Sequence, residues 1–236
     1  MKAVIQAGGK GTRLRPYTLV LPKPLMPVGG GPVIEMLIKW LRRNGVEEAY
    51  VTTGYLGHLI QAVCGDGAQW DMRIQYSEEP EPLGTVGALR LVQDRLRETF
   101  LMLNGDIIAD LDLRAFRQSH AESGAMVTVA VARKGVRVDL GVIESRGGYV
   151  TGFREKPTLE YLVSMGVYCM QPAVIDLIPR GVPFGFDDLM HLMLEREHPI
   201  HIYEHHGIWM DIGRPDDYRE AQRLLEENQG LFGGDV

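Results

Sequence analysis

Over residues 2–106 short apolar runs alternate with amphipathic stretches, and this alternation restricts the fold more than any other feature of the chain. Residues 2–7 form an apolar run that ends on glycines, as a buried strand does. The segment GPVIEMLIKWLRRNG (31–45) is predicted helical: Val33, Leu37 and Trp40 lie beside Ile34, Ile38 and Leu41 in adjoining stripes. Pro32 stands at its start and Asn44-Gly45 at its end, where helices favour them. Further strands are predicted at 48–55, 72–78 and 99–106, with helices at 56–64 and 85–97 between them. Strand and helix alternating at such short intervals build βαβ units, hence a parallel sheet with helices on both faces. The alternation then relaxes. Residues 125–133 and the stretches LGVIES, YVTGFREKP, YLVSMGVYCM and PIHIYEHHG are strand-like, while 186–197 and 214–228 are helical. The expected fold class is α/β: a mostly parallel sheet flanked by helices, with a mixed-sheet second half. No repeat or linker divides residues 1–236, so one domain is expected.

The 236 residues suffice for one sizeable core, and 45% apolar with 24% charged residues excludes a disordered chain. A net charge of −6 argues against general adhesion to nucleic acid or acidic membrane, so any anion site must be local. Cys64 and Cys169 form no paired motif and are expected to be reduced core residues. The seven histidines have no zinc spacing. No apolar run reaches the length of a membrane span, and the N-terminus enters a strand at once. A cytoplasmic protein is expected.

Directly after the first predicted strand, QAGGKGTRLRP (6–16) sets three glycines beside Lys10, Arg13 and Arg15. Small residues let main-chain N–H groups face phosphate oxygens, while Arg13 offers a fork of donors and Lys10 a point charge. No lysine-serine or lysine-threonine follows the last glycine, so this is not a Walker loop. Leu14 stands where a dinucleotide fingerprint needs its third glycine. A plain turn with surface arginines remains the competing reading. LPKPLMPVGGGP (21–32) then places Lys23 between prolines, on a stiff extended path or in an ordinary proline-rich loop.

Asp106 follows an apolar strand and should project at the ligand edge of a parallel sheet; Asp211 follows another short apolar run in WMDIGRPDDY. Two carboxylates brought together from separate strands would suit one Mg²⁺, which keeps its waters and takes phosphate oxygens besides. Asp110 and Asp112 precede a helical stretch, so one of them is an expected N-cap. The rival reading makes DLD the metal motif of a sugar-nucleotide-dependent glycosyltransferase. In FREKP (153–157), Glu155 and Lys156 end a strand and are expected on opposite faces.

Taken in order, AGGKGTRLRPYTLVLPKPLMPV, EPLGTVGAL (81–89), LNGD, GVI (141–143), FREKP, GVY (166–168) and WMDIG resemble the sugar-1-phosphate nucleotidylyltransferases, also called nucleoside-diphosphate-sugar pyrophosphorylases. The resemblance covers essentially the whole chain. It implies a Rossmann-like sheet, with nucleotide binding over about 1–112 and sugar-phosphate binding over about 113–236. It further implies that Gly8, Gly9, Gly11 and Thr12 shape the loop over the nucleotide and that Arg13 meets the triphosphate. Lys23 would neutralise charge at the reacting phosphate, and Gly84, Thr85 and Gly87 would lie beside the base. Asp106 and Asp211 would hold Mg²⁺. Gly141 would admit the sugar ring, Glu155 would bind its hydroxyls and Lys156 its phosphate. The implied reaction is attack by a sugar 1-phosphate on the α-phosphorus of a nucleoside triphosphate, with Arg13, Lys23 and Asp106 as the catalytic set.

Two positions depart from the family's habit: Gln6, usually aliphatic, and Ser164, often asparagine near the sugar. No hexapeptide repeats are present, so no C-terminal β-helix is expected. The LGTVGAL loop resembles guanylyl- and adenylyl-transferring members, which favours GTP and a manno-configured hexose or heptose 1-phosphate. Uridylyl or thymidylyl transfer to another sugar 1-phosphate stays open, as does a non-catalytic, sugar-nucleotide-binding regulatory paralogue. The oligomeric state is open too, a homo-oligomer included.

Overall fold

The computed structural model describes residues 1–228; the remainder of the expected domain, 229–236, lies outside the described residues. Strand β1 (Lys2–Ala7) leads through a long loop and two short strands, β2 (Pro27–Val28) and β3 (Gly31–Pro32), into helix α1 (Val33–Arg43). There follow β4 (Glu48–Thr53), α2 (Gly57–Cys64), β5 (Arg73–Glu78), α3 (Gly84–Gly87), α4 (Leu89–Val92), β6 (Phe100–Asn104) and β7 (Ile107–Ala109). The second half runs α5 (Leu113–Ser123), β8 (Val127–Arg137), β9 (Val142–Arg146), β10 (Tyr149–Arg154) and β11 (Thr158–Met170). It closes with α6 (Phe186–Glu195), β12 (Ile200–His205), β13 (Trp209–Asp211) and α7 (Pro215–Glu227).

Seven strands form one sheet in the order β12-β8-β11-β6-β1-β4-β5. The pairs β1/β4, β1/β6, β4/β5 and β8/β12 are parallel, and β11 runs antiparallel to both β6 and β8. The expected mostly parallel sheet with a mixed second half is what the chain forms. Its strands are buried on both faces, so side chains alternate between two cores. Ala3, Ile5, Leu101 and Leu103 pack with Ile34, Ile38, Ile60 and Phe116 on one side. Val4, Met102 and Val129 pack with Val86, Leu89, Leu189 and Met193 on the other. Each fully buried aliphatic chain contributes about 1.5–3 kcal/mol of transfer free energy. No helix among the described residues is long and apolar enough to cross a membrane.

Three local outcomes differ from the sequence reading. The helix expected over 85–97 is broken into α3, α4 and a 3₁₀ turn, Gln93–Arg95. Gly84 sits at φ +76°, and a Cβ there would lie 2.6 Å from the Phe184 carbonyl oxygen. The N–H groups of Val86 and Gly87 donate to that same oxygen at 3.2 and 3.0 Å, so the start of the segment is pinned to Phe184. Secondly, Glu155 and Lys156 lie beyond the end of β10 and Lys156 has φ +42°, so strand alternation does not govern which way they face. Thirdly, the far halves of β8 and β11 leave the core. Together with the β9–β10 hairpin they form an arm whose residues are largely exposed, Tyr149 at 80% and Phe153 at 62%. Since β8 runs with the parallel strands, this arm rises from the carboxyl edge of the sheet.

Asp112 caps α5: its Oδ1 accepts from Arg114 N at 2.8 Å and Ala115 N at 3.1 Å. Asp112→Ala should therefore lower unfolding free energy by about 1 kcal/mol, read as a lower urea midpoint with unchanged slope.

Candidate active site

A cleft of about 390 Å³ opens at the carboxyl ends of β1, β5 and β6, where parallel sheets take ligands. One wall is the loop after β1, and it is not a slack turn. It contains three 3₁₀ turns, Thr12–Leu14, Tyr17–Leu19 and Lys23–Leu25. Gly11 has φ +57°, which a glycine adopts at no cost, and the Thr18 hydroxyl donates to its carbonyl at 2.8 Å. Leu14 is fully buried with Val28, Val33, Ile108, Ile212, Ala221 and Leu225 in a third small core. The residue in the place of a fingerprint glycine is thus the loop's anchor. Gly8, Gly9, Gly11, Thr12 and Arg13 line the cleft, and Arg13 extends towards Gly213.

Lys23 and Asp106 line the cleft as well. The Lys23 ammonium contacts Asp106 directly and lies 3.1 Å from Asp211 Oδ1. Asp106 follows β6; Asp211 reaches it because β13 pairs antiparallel with β7, with Asp211 opposite Ile107. Ile212 N donates to the Asp106 carbonyl at 3.2 Å. Burial pushes the Asp106 carboxyl up, Lys23 pulls it back down, and the Asp211 carboxylate pushes it up again. Two hard oxygen donors gathered around a cation fit a divalent metal. Among the described residues no three His, Cys, Asp or Glu side chains gather in one place. A set of two carboxylates is the kind Mg²⁺ uses when it keeps several waters and takes phosphate oxygens.

The lining also includes Glu79, Pro82, Gly84 and Thr85. Gly87 lies outside the lining; it is buried and packs on Phe184 and Leu83. Gly141, Glu155 and Lys156 also lie outside it, exposed on the arm, where Gly141 packs against the Phe153 ring and Glu155. The rival DLD pair is engaged elsewhere: Asp112 caps α5, and Asp110 accepts from His205 Nε2 at 2.8 Å and Ile208 N at 2.7 Å.

A family model described as nucleotidyl transferase matches residues 2–228. The chain belongs to the nucleotidyl transferase family. It is 34% identical over 243 residues to a Synechocystis protein named UTP–glucose-1-phosphate uridylyltransferase, covering 94% of this chain and 63% of that one. It is 35% identical over 232 residues to a Schizosaccharomyces pombe mannose-1-phosphate guanyltransferase, covering 92% of this chain and 62% of that one. The chain therefore spans less than two thirds of the length of these curated relatives. A Bacillus anthracis structure, provisionally named glucose-1-phosphate thymidylyltransferase and solved with sucrose, superposes with a TM-score of 0.78 at 25% identity. That likeness covers 100% of both chains.

Within this member of the nucleotidyl transferase family, sequence reasoning missed several cleft residues: Gln6, Ala7, Pro24, Glu79, Pro82, Asn104 and Gly213. Gln6 faces Thr52 on one neighbouring strand and Asn104 on the other, so the departure from an aliphatic residue makes a polar row across three strand ends. Thr52 Oγ1 donates to Gln6 Oε1 at 2.7 Å. Gln6 Nε2 is buried with no hydrogen-bond partner among the described residues. Glu79 was legible in principle, since it immediately follows the strand that ends at Glu78. Its Oε2 accepts from Leu83 N at 2.8 Å, and its Oε1 occupies the place a Cβ on Gly8 would take.

Burial pushes the Glu79 carboxyl above its ordinary value of 4.5, and the Leu83 N–H draws it only part of the way back. From 4.5 up to the raised value, the folded chain keeps a proton that the unfolded chain has lost. Stability therefore falls as pH rises through that window, and the deficit persists above it. Glu79→Gln should melt higher than wild type near about pH 8 and show no advantage near about pH 4, compared by calorimetry.

Proposed function

We propose that the chain transfers a nucleotidyl group from a nucleoside triphosphate, GTP first, to a sugar 1-phosphate, releasing pyrophosphate. A manno-configured hexose or heptose is the favoured acceptor. The single observation that carries this reading is the gathering of Arg13, Lys23 and Asp106 in the lining of one cleft edged by the glycine loop, with Asp211 paired to Lys23 just outside that lining. Such a cleft brings fixed positive charge to where two phosphate chains must crowd, with no need for a protein nucleophile.

In this reading an oxygen of the sugar phosphate bonds to the α-phosphorus as the bridging α–β bond breaks. The bonding electrons leave with pyrophosphate. Main-chain N–H groups of the Gly8–Arg13 loop and the Arg13 guanidinium hold the triphosphate in line. Lys23, half enclosed between its prolines, meets charge that builds at the reacting phosphate. Asp106 and Asp211 would hold Mg²⁺, which when bound supplies positive charge to the phosphate oxygens. Gly84 and Thr85 flank the base. Gly141, Glu155 and Lys156, on an arm that rises from the same sheet edge, are assigned to the sugar and its phosphate. Gly87 is assigned a supporting place beneath the base loop.

Glu79 favours guanine. With Oε2 braced by Leu83, its Oε1 accepts no hydrogen bond among the described residues. Guanine presents adjacent N1–H and N2–H₂ donors to such a carboxylate, whereas uracil and thymine present one. Transfer from UTP to another sugar 1-phosphate is the second reading, favoured by the name of the Synechocystis relative.

Two measurements test these readings. Pyrophosphate release with Mg²⁺, crossing five nucleoside triphosphates with a panel of sugar 1-phosphates, should need both substrates and collapse in Asp106→Ala. Silence across the panel, with sugar nucleotide still bound in a calorimeter, would instead favour the regulatory paralogue. Losing a charged hydrogen bond costs about 1.5–3 kcal/mol, so Glu79→Gln should raise the KM for GTP roughly 10- to 100-fold. An equal rise for UTP would remove the guanine assignment and leave the transferase reading intact.

A further inference from the structure

β7 and β13 are each three residues long, lie about a hundred residues apart in sequence, and form a sheet separate from the main one. Their register, together with the Lys23 ion pairs, sets where Asp211 stands relative to Asp106. A slip of one residue would carry Asp211 about 3.4 Å along the strand and turn its side chain to the other face. Mg²⁺ binding at about 2.0–2.1 Å from each oxygen tolerates no such displacement. A ladder this short has little of its own to resist it, so the ends of the pair matter.

At one end Ile212 N donates to the Asp106 carbonyl. The other end is closed by Asp110. Its main-chain N–H donates to Ile208 O at 3.1 Å. Its Oδ1 accepts from Ile208 N at 2.7 Å and from His205 Nε2 at 2.8 Å. A carboxylate only accepts, so the imidazole carries its hydrogen on Nε2. Gly207 lies against both partners: a Cβ there would strike Asp110 Oδ1 and come within 2.8 Å of His205 Cε1. Residues 205–208 therefore wrap one carboxylate oxygen, just before the strand that delivers Asp211. The His205 side chain is 11% exposed and that of Asp110 31%, so the clasp lies partly out of water.

We propose that Asp110, clasped by His205 and the Ile208 N–H, is a positioning residue that locks the β7/β13 register and so holds Asp211 beside Asp106. The lock rests on the reading that these two carboxylates take a divalent cation. It needs no contact between Asp110 and substrate. It also gives Asp110 a task unrelated to metal ligation.

The test is Mn²⁺ binding, followed by the electron paramagnetic resonance signal of the free ion, on the whole chain with folding checked by circular dichroism. Residues that orient metal ligands typically cost 10- to 100-fold in affinity when removed, so Asp110→Ala and His205→Leu should each weaken Mn²⁺ by about tenfold or more. His205→Gln, whose amide can donate from nearly the same place, should restore most of the affinity. His205→Leu leaves the Asp110–Ile208 bond in place, so it serves if Asp110→Ala does not fold. If both variants bind Mn²⁺ as wild type does while Asp106→Asn does not, the register lock is wrong and the metal reading stands. If wild type fails to bind Mn²⁺, or Asp106→Asn binds equally well, the metal reading fails and the lock falls with it.

Discussion

The Lys23 ammonium between Asp106 and Asp211 is the interaction on which the rest of the cleft depends. Two carboxylates from distant parts of the chain, Asp106 largely buried and Asp211 partly exposed, repel one another unless a cation or a proton lies between them. Like charges roughly 4 Å apart repel by about 4 kcal/mol at an effective dielectric of about 20. Lys23 supplies the opposite charge from a third segment, with its side chain only 13% exposed. One ammonium thereby ties the loop after β1 to the end of β6 and to β13.

That tie holds because each of its three ends is anchored apolarly. Leu14 sets the loop, Ile108 the short strand after Asp106, and Ile212 the residue after Asp211, and all three share one small core with α7. Charge and apolar packing are thus concentrated on the same segments. A loop rich in glycine is usually read as mobile, yet here its glycines serve close approach while Leu14 and Thr18 fix its path. Donors that are already in place need not reorganise when phosphate charge arrives, which is where electrostatic catalysis gains most.

The cleft is also electrostatically divided. Arg13 and Lys23 lie on the loop after β1, while Glu79, which follows β5, is held partly out of water and pushed towards its neutral form. A site for a nucleotide benefits from this division, because the phosphates are anionic and the Watson–Crick edge of guanine donates hydrogen bonds. The arm of β8 to β11 adds a third region whose exposed apolar and charged residues leave the main core. Its two long strands are buried where they join the sheet and exposed beyond it, so the arm is an extension of the sheet rather than a separate packing unit.

The sequence alone determined the βαβ half, because periodicities near 3.6 and 2 leave little choice once apolar stripes must be buried. It also determined the glycine loop, Lys23 between prolines and an Asp at a strand end, since motifs contiguous in sequence carry their local geometry with them. Tertiary structure decided the remainder. Asp211 meets Asp106 through a three-residue strand pairing across about a hundred residues and through Lys23, neither of which a local pattern encodes. The segment over 85–97 is seated by the Phe184 carbonyl, far along the chain, which takes the Val86 and Gly87 N–H groups of its first turn. Asp110 and Asp112 look alike in sequence and act differently in space, one clasped by His205 and Ile208, the other capping α5. Glu79 became part of the cleft because β5 lies at the edge of the sheet beside β4, and strand order is set by packing, not by any residue within the strand.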